Sequence, residues 1–209
     1  MAQIKKEAIR TAILDAAGEL FVEKGYISAT IPQIAMRAGV APSSVYVYFS
    51  SKLEIVYEVY TPWFKAKLEA LECAVSVMPD RRAALTRIIA TIWQEIPRAE
   101  NGFAINLMQA LASATQDGGY DPGLLQWTET RLAGMLMRVL SSPKITRSKA
   151  LTMAHIIIMS FDGFALSARI HPSSLCSDAH VTMFVDMLFA PQRAERGATG
   201  ATMKIPEIT

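Results

Sequence analysis

The sequence predicts an all-α protein, with a three-helix N-terminal domain of helix-turn-helix type and a larger helical domain behind it. Three observations carry this. Apolar residues recur at helical spacing along almost the whole 209-residue chain, and no run alternates convincingly as a strand would. Helix caps punctuate the pattern at Thr30, Asp80 and Asp121-Pro122. Two short helical segments near the N-terminus are separated only by the turn Ala38-Gly39-Val40.

The elements follow in order. Ile9, Ile13, Ala16, Ala17, Leu20 and Phe21 form one stripe of a helix over 5–24, and Gly25 stands where a C-terminal cap is wanted. Thr30-Ile31-Pro32-Gln33 matches a capping box, with Pro32 in the first turn, and opens a helix that ends at Gly39. The third helix follows within the segment 38–52. A long helix runs from Lys52 to about Met78, where Pro79 stops it unless Pro62 kinks it earlier. Asp80 opens a helix with Leu85, Ile88, Ile89, Ile92 and Ile96 on one face. Phe103, Leu107, Ala110 and Leu111 mark the next, and Leu125, Leu132, Met135, Leu136 and Val139 the one after it. Residues 146–170 form a helix apolar on nearly every face, residues 171–173 break it, and a last helix spans 178–189. The domains expected are 1–50, 51–190 and a loose tail over 191–209, which holds Pro191, Gly197, Gly200 and Pro206.

Bulk composition narrows the function. With 51% hydrophobic residues the chain can bury a substantial core. Net charge is +2, and the excess lies in residues 1–52, which hold six basic groups (Lys5, Lys6, Arg10, Lys24, Arg37, Lys52) against four acidic ones. That tilt favours a polyanionic partner at the N-terminal end. Cys73 and Cys176 read as free thiols in a reducing cytoplasm. A mean hydropathy of +0.24 raises the question of a membrane span. The candidate, residues 150–168, is barely long enough and carries His155 and Asp162, so burial on two sides of a soluble core is the better reading. No nucleophile elbow, zinc-protease, phosphate-loop or dinucleotide motif is present, which argues against an enzyme such as a small hydrolase. No cofactor or metal is expected. His171, Cys176, Asp178 and His180 cluster in sequence, but at spacing too loose for a zinc site.

The stretch AGVAPSSVYVYFSSK, residues 38–52, carries the sharpest chemistry. At 100° per residue, Val45 and Phe49 share the packed side of the third helix. The opposite side centres on Val47, with Ser43 and Ser44 near it and Tyr46 and Tyr48 at its edges. A helix entering a DNA groove has use for that set: a valine for a thymine methyl, and hydroxyls for base edges and phosphates. Lys52 follows as a phosphate partner. The plain alternative is a small packed three-helix unit.

The run ILDAAGELFVEKGYISATIPQIAMRAGVAPSSVYVYFSSKLEIV, residues 13–56, closely resembles the N-terminal domain of the TetR family of transcriptional regulators. The resemblance covers about a quarter of the chain. It implies that Ser43, Ser44, Tyr46, Val47, Tyr48 and Lys52 occupy operator-contacting positions and that Thr30 sits at a phosphate-contacting helix start. Two departures stand out. Ala41 replaces a capping side chain and leaves Pro42 to fix the helix start, and Pro32 stands where some relatives carry a basic, base-reading residue. The resemblance further implies a cytoplasmic one-component regulator, more a repressor than an activator. It would pair as a homodimer, read a near-palindromic double-stranded operator, and be released by a small apolar or amphipathic ligand. A helical small-molecule-binding module without DNA recognition is the alternative.

Candidate ligand-binding residues are Trp93, Phe103, Leu107, Met135, Met159 and Asp162. Asp162, in mid-helix and followed by Gly163, reads either as an anchor for a cationic or hydroxylated ligand or as one end of a hydrogen bond at a close helix contact. The second is the commoner use of such a group. Dimerisation is expected through the last two long helices, at Leu151, Ile158, Ala165, Phe184, Val185 and Leu188. Trp127 lies off its helix's stripe, exposed or at an interface.

Overall fold

The computed structural model describes residues 2–114, 121–170 and 176–189, so the expected tail and His171 lie outside the described residues. Every element among them is helical: α1 Ala2–Ser28, α2 Ile31–Arg37, α3 Pro42–Tyr48, α4 Lys52–Ser76, α5 Arg81–Ala90, a π turn Thr91–Glu95, α6 Phe103–Ser113, α7 Gly123–Leu140, α8 Arg147–Ile170 and α9 Asp178–Phe189.

The first three helices close on one small core. Ile13, Ala16, Ala17, Leu20 and Phe21 of α1 are buried against Ile34 and Ala35 of α2 and Val45 and Phe49 from α3 and its cap. Each large side chain so buried stabilises the fold by about 1.5–3 kcal/mol. The capping box forms: Thr30 Oγ1 accepts from Gln33 N, and the Gln33 side chain accepts from Thr30 N at 3.1 Å. Gly39 takes φ +69°, a left-handed turn that lets Val40 N reach Ala35 O at 2.9 Å. Arg37 grips Glu23 with both guanidinium nitrogens, at 2.6 and 2.8 Å, and clips α2 onto α1. As expected, α3 has no side-chain cap at Ala41 and begins on Pro42.

The helical path of α1 continues to Ser28, beyond the expected end, but Gly25 breaks it at φ +76°. The reason lies on α6. Asn106, fully buried, accepts from Tyr26 N at 2.7 Å and donates to Phe21 O at 3.1 Å and to the Tyr60 hydroxyl at 2.8 Å. Gln109 accepts from Ile27 N at 3.3 Å. The backbone groups freed by the break are thus satisfied by amides of the larger domain. Burial pushes the Tyr60 hydroxyl up to about 12, partly offset by the Asn106 bond.

In the larger domain, α4 packs on α1, α5, α6 and α7. It passes through an exposed Pro62 without ending, and stops at Ser76 before Pro79. Asp80 caps α5 by accepting from Arg82 N and Ala83 N. Helix α8 lies along α7 and reaches α6 and the π turn, while α9 covers α5.

Candidate functional site

The outward face of α3 is what the sequence wheel describes. Val47 is 74% exposed, Tyr46 60% exposed and Ser43 exposed, while Val45 and Phe49 are fully packed. Ser44 and Tyr48 are half-buried, so Tyr48 offers an edge rather than a free ring. Thr30 is exposed, with its hydroxyl engaged in the cap. Met36, largely exposed at the end of α2, went unremarked in the sequence. Its signal was its position two residues past the buried Ile34.

Lys52 needs correcting. Its ammonium is turned inward, donating to Tyr26 O at 2.7 Å and Ala29 O at 3.0 Å and lying 4.1 Å from the centre of the Tyr26 ring. It closes the open carbonyls at the end of α1, and burial lowers its pKa. As it stands it is a capping cation, not a free phosphate ligand. Arg37 and Arg10 are also engaged, with Glu23 and Glu58 at the surface, so three of the six basic residues of this region are paired within the protein.

The larger domain encloses a cavity of about 160 Å³. Tyr57 and Phe64 of α4, Ile92 and Ile96 at the π turn, and Phe103, Leu107, Met108 and Leu111 of α6 form part of its wall. Leu124, Leu125 and Thr128 of α7 and Ile158, Met159, Phe161 and Asp162 of α8 complete it. The π turn closes through Ile96 N to Thr91 O at 3.0 Å, and such turns often mark functional sites. Of the ligand residues expected, Phe103, Leu107, Met159 and Asp162 line this cavity; Trp93 and Met135 do not. Trp93 donates from Nε1 to Ile157 O at 2.9 Å and packs on Phe164 and Phe184, pinning the π turn to α8 and α9. Met135 is fully buried in the core of α7.

Asp162 is half-buried, and no described residue donates a hydrogen bond to its carboxylate. Burial raises its pKa to about 6, against a lowering by His155. The close helix contact expected at Gly163 is absent: a Cβ there would meet open space. His155 Nδ1 is instead bonded to Glu129 Oε1 at 2.7 Å, tying α8 to α7.

The dimer residues expected also need correcting. Ile158 and Ala165 are buried, Val185 is 1% exposed, and Phe184 packs at a tilt on Trp93, ring centres 4.8 Å apart. Leu151 and Leu188 are half-buried against the core. The apolar surface left bare is the neighbouring stripe: Ile156, Met159, Gly163 and Leu166 (55%) on α8, with Met183 (66%) and Met187 on α9. The cause is rotational. Because α8 packs against α6, α7 and the π turn together, its buried arc is wide and displaced from the one chosen on the wheel. Only 28% of the most apolar stretch of α8 is buried, so a single chain leaves the second side of this helix without cover. The helix is long and apolar enough to cross a membrane by length and composition alone.

Trp127 is half-buried between the cations of Lys65 and Arg131, at 5.2 and 5.1 Å. Among the described residues no cluster of three metal-ligating side chains occurs, and His180 Nδ1 accepts from Ser177 N at the start of α9.

Residues 13–59 match the family described as bacterial regulatory proteins, tetR family. The HTH-type transcriptional repressor KstR2 of Rhodococcus jostii is 31% identical over 100 residues, 48% of this chain and 49% of that one. The HTH-type transcriptional activator FasR of Mycolicibacterium smegmatis is 29% identical over 103 residues, 49% of this chain and 47% of that one. The chain thus spans about half the length of the curated relatives it matches. The whole fold is similar to the crystal structure of the regulator FadR of Bacillus subtilis in complex with stearoyl-CoA, with TM-score 0.64 at 20% identity, covering 86% of this chain and 97% of that one.

Proposed function

We propose, starting from the match of residues 13–59 to the tetR family of bacterial regulatory proteins, that the chain is a transcriptional regulator which represses by occupying an operator and leaves it when a small apolar or amphipathic molecule enters the α4–α8 cavity. The observation that carries this reading is the outward face of α3. Packing needs Val45 and Phe49 inward; it does not need valine and tyrosine outward, which groove contact does. Repression is the mode that needs no further contact, since an occupied operator excludes other proteins by volume alone. The domains act as units 1–50 and 51–190, with α1, α4 and α6 between the operator face and the cavity.

Dimerisation is the second half of the proposal. The bare stripe Ile156, Met159, Leu166, Met183 and Met187 is self-complementary in chemistry, and a two-fold partner would cover it. Two copies of α3 would then face two half-sites of a near-palindrome.

The test is a gel shift on DNA upstream of the chain's own coding region, with sedimentation of the same sample and a reporter fused to that DNA. A specific shift by a dimer, with reporter output rising on deletion of the gene, is expected. Absence of any shift would leave a helical binding module without DNA recognition, and a fall in output would make the chain an activator. Leu166→Arg or Met183→Arg should leave the monomer folded, because both side chains are already exposed in one chain, and should lower operator affinity by about a hundredfold or more. A wild-type chain that sediments as a monomer at micromolar concentration would sink the dimer and return the exposed face of α8 to a membrane reading.

A further inference from the structure

Asp162 sits where neither packing nor helix contact asks for a carboxylate. Its neighbours in the cavity wall are Phe64, Phe103, Phe161 and aliphatic side chains. The cavity's hydroxyl on α7, Thr128, donates to Leu124 O at 2.7 Å and offers no proton to it. No described donor reaches the carboxylate, and the helix contact that would have explained it is open space. A half-buried carboxylate that no protein donor reaches is poorly matched in the empty protein. It becomes favourable only when something brings a donor.

The surrounding charge fixes which donor. His155, about two turns back on α8, is bonded to Glu129 of α7 at 2.7 Å and so is engaged by a second carboxylate. On the π turn, Glu95 is held by Lys67 at 3.1 Å and by Arg87. From α4 the cavity receives the phenol of Tyr57 and the ring of Phe64, and from α6 it receives only apolar side chains. Among its described lining residues the cavity therefore has one carboxylate and no cationic side chain. A ligand carboxylate entering here would meet like charge in a medium that screens it poorly, whereas an ammonium would gain a charge-assisted hydrogen bond.

We infer that the cavity selects a small lipophilic cation: an amine on an apolar body of roughly six to ten heavy atoms, preferred over the alcohol and strongly over the carboxylate of the same length. The body follows from the cavity of about 160 Å³, close to the size of engineered apolar cavities that admit benzene. The amine follows from Asp162. This inference rests on the proposal that the cavity is the ligand site, and it adds the chemical class.

Octylamine, octanol and octanoate, titrated separately into the full chain by calorimetry at about pH 8, separate the two layers of the argument, since an alkylamine is still charged there. Octylamine should bind about tenfold or more tighter than octanoate, with octanol between. In Asp162→Asn, octanol should bind as before, which shows the cavity intact, and octylamine should fall to within about threefold of octanol. Octanoate binding as tightly as octylamine to the wild-type chain would overturn the inference while leaving the cavity as a ligand site. So would an amine preference that survives Asp162→Asn. If none of the three binds the wild-type chain, the cavity reading itself fails and the inference goes with it.

Discussion

Helix α3 and the cavity are built in opposite ways. The operator-facing helix is seven residues long, and its cap, turn and inward residues lie within about twenty residues of chain, packed on the neighbouring α1: the Thr30–Gln33 box, the Gly39 turn, the Pro42 start and the inward Val45 and Phe49. The cavity draws its wall from four helices and a π turn spread from Tyr57 to Asp162. One surface is local and presents side chains outward; the other is assembled at long range and presents them inward. A local surface tolerates change in its exposed residues without loss of fold, whereas the assembled one couples ligand chemistry to stability.

Substitutions ordered by expected size test that contrast. The largest effect falls where the two parts meet. Asn106→Ala strips partners from Tyr26 N, Phe21 O and the Tyr60 hydroxyl in a fully buried place, and should destabilise the chain by about 3 kcal/mol in urea unfolding. A loss under about 1 kcal/mol would mean that the break at Gly25 is held by something else.

Asp162→Asn comes next and has the opposite sign. The folded pKa of Asp162, about 6, lies above its ordinary value of 3.8, so the fold favours the protonated form. Its stabilising contribution is complete below about pH 4 and is lost as pH rises through about 6. The asparagine variant, which keeps the neutral form, should be more stable than the wild type by about 1–2 kcal/mol at pH 8, a figure already reduced for partial exposure. The gap should close as the pH is lowered toward 4. Equal melting curves at every pH would remove the buried charge from the account.

Lys52→Met should cost about 1 kcal/mol of stability through the lost α1 cap, and leave the salt slope of operator binding unchanged. A slope shallower by one counterion would show that the ammonium swings out to DNA. Smallest of all, replacing one operator thymine by uracil should lose about 1 kcal/mol or less, a difference that Val47→Ala should erase. A uracil scan with no sensitive position would show that Val47 reads no methyl group.

The same contrast explains what could be read in advance. The helix-turn-helix was legible because its determinants are short-range and its caps are specific residue types. The cavity was legible only in part. Phe103 and Leu107 fall on it because α6 has one clear apolar stripe. Trp93, at the edge of its helix's stripe, and Met135, on the stripe of α7, suit a pocket wall equally well by pattern, and the fold uses one as a pin to Ile157 O and the other in the core. Helix α8 is apolar on almost every face, so its pattern carries no phase, and the bare stripe could be found only once α6, α7 and the π turn had taken their shares. Nothing local marks Lys52 as a cap, because the carbonyls it closes lie 23 and 26 residues earlier.

The clamp between α6 and the broken end of α1 also limits how freely this molecule can be recombined. A hybrid joining residues 1–50 to the sensing half of another regulator keeps the backbone groups at Tyr26 and Ile27 but loses the amides of Asn106 and Gln109 that receive them. The seam that looks natural in the sequence, before Lys52, therefore cuts through a shared joint. A working hybrid would carry α6 as a graft with the first domain, or recreate both amides in its new host, and the part that looks most portable is in fact half of a pair.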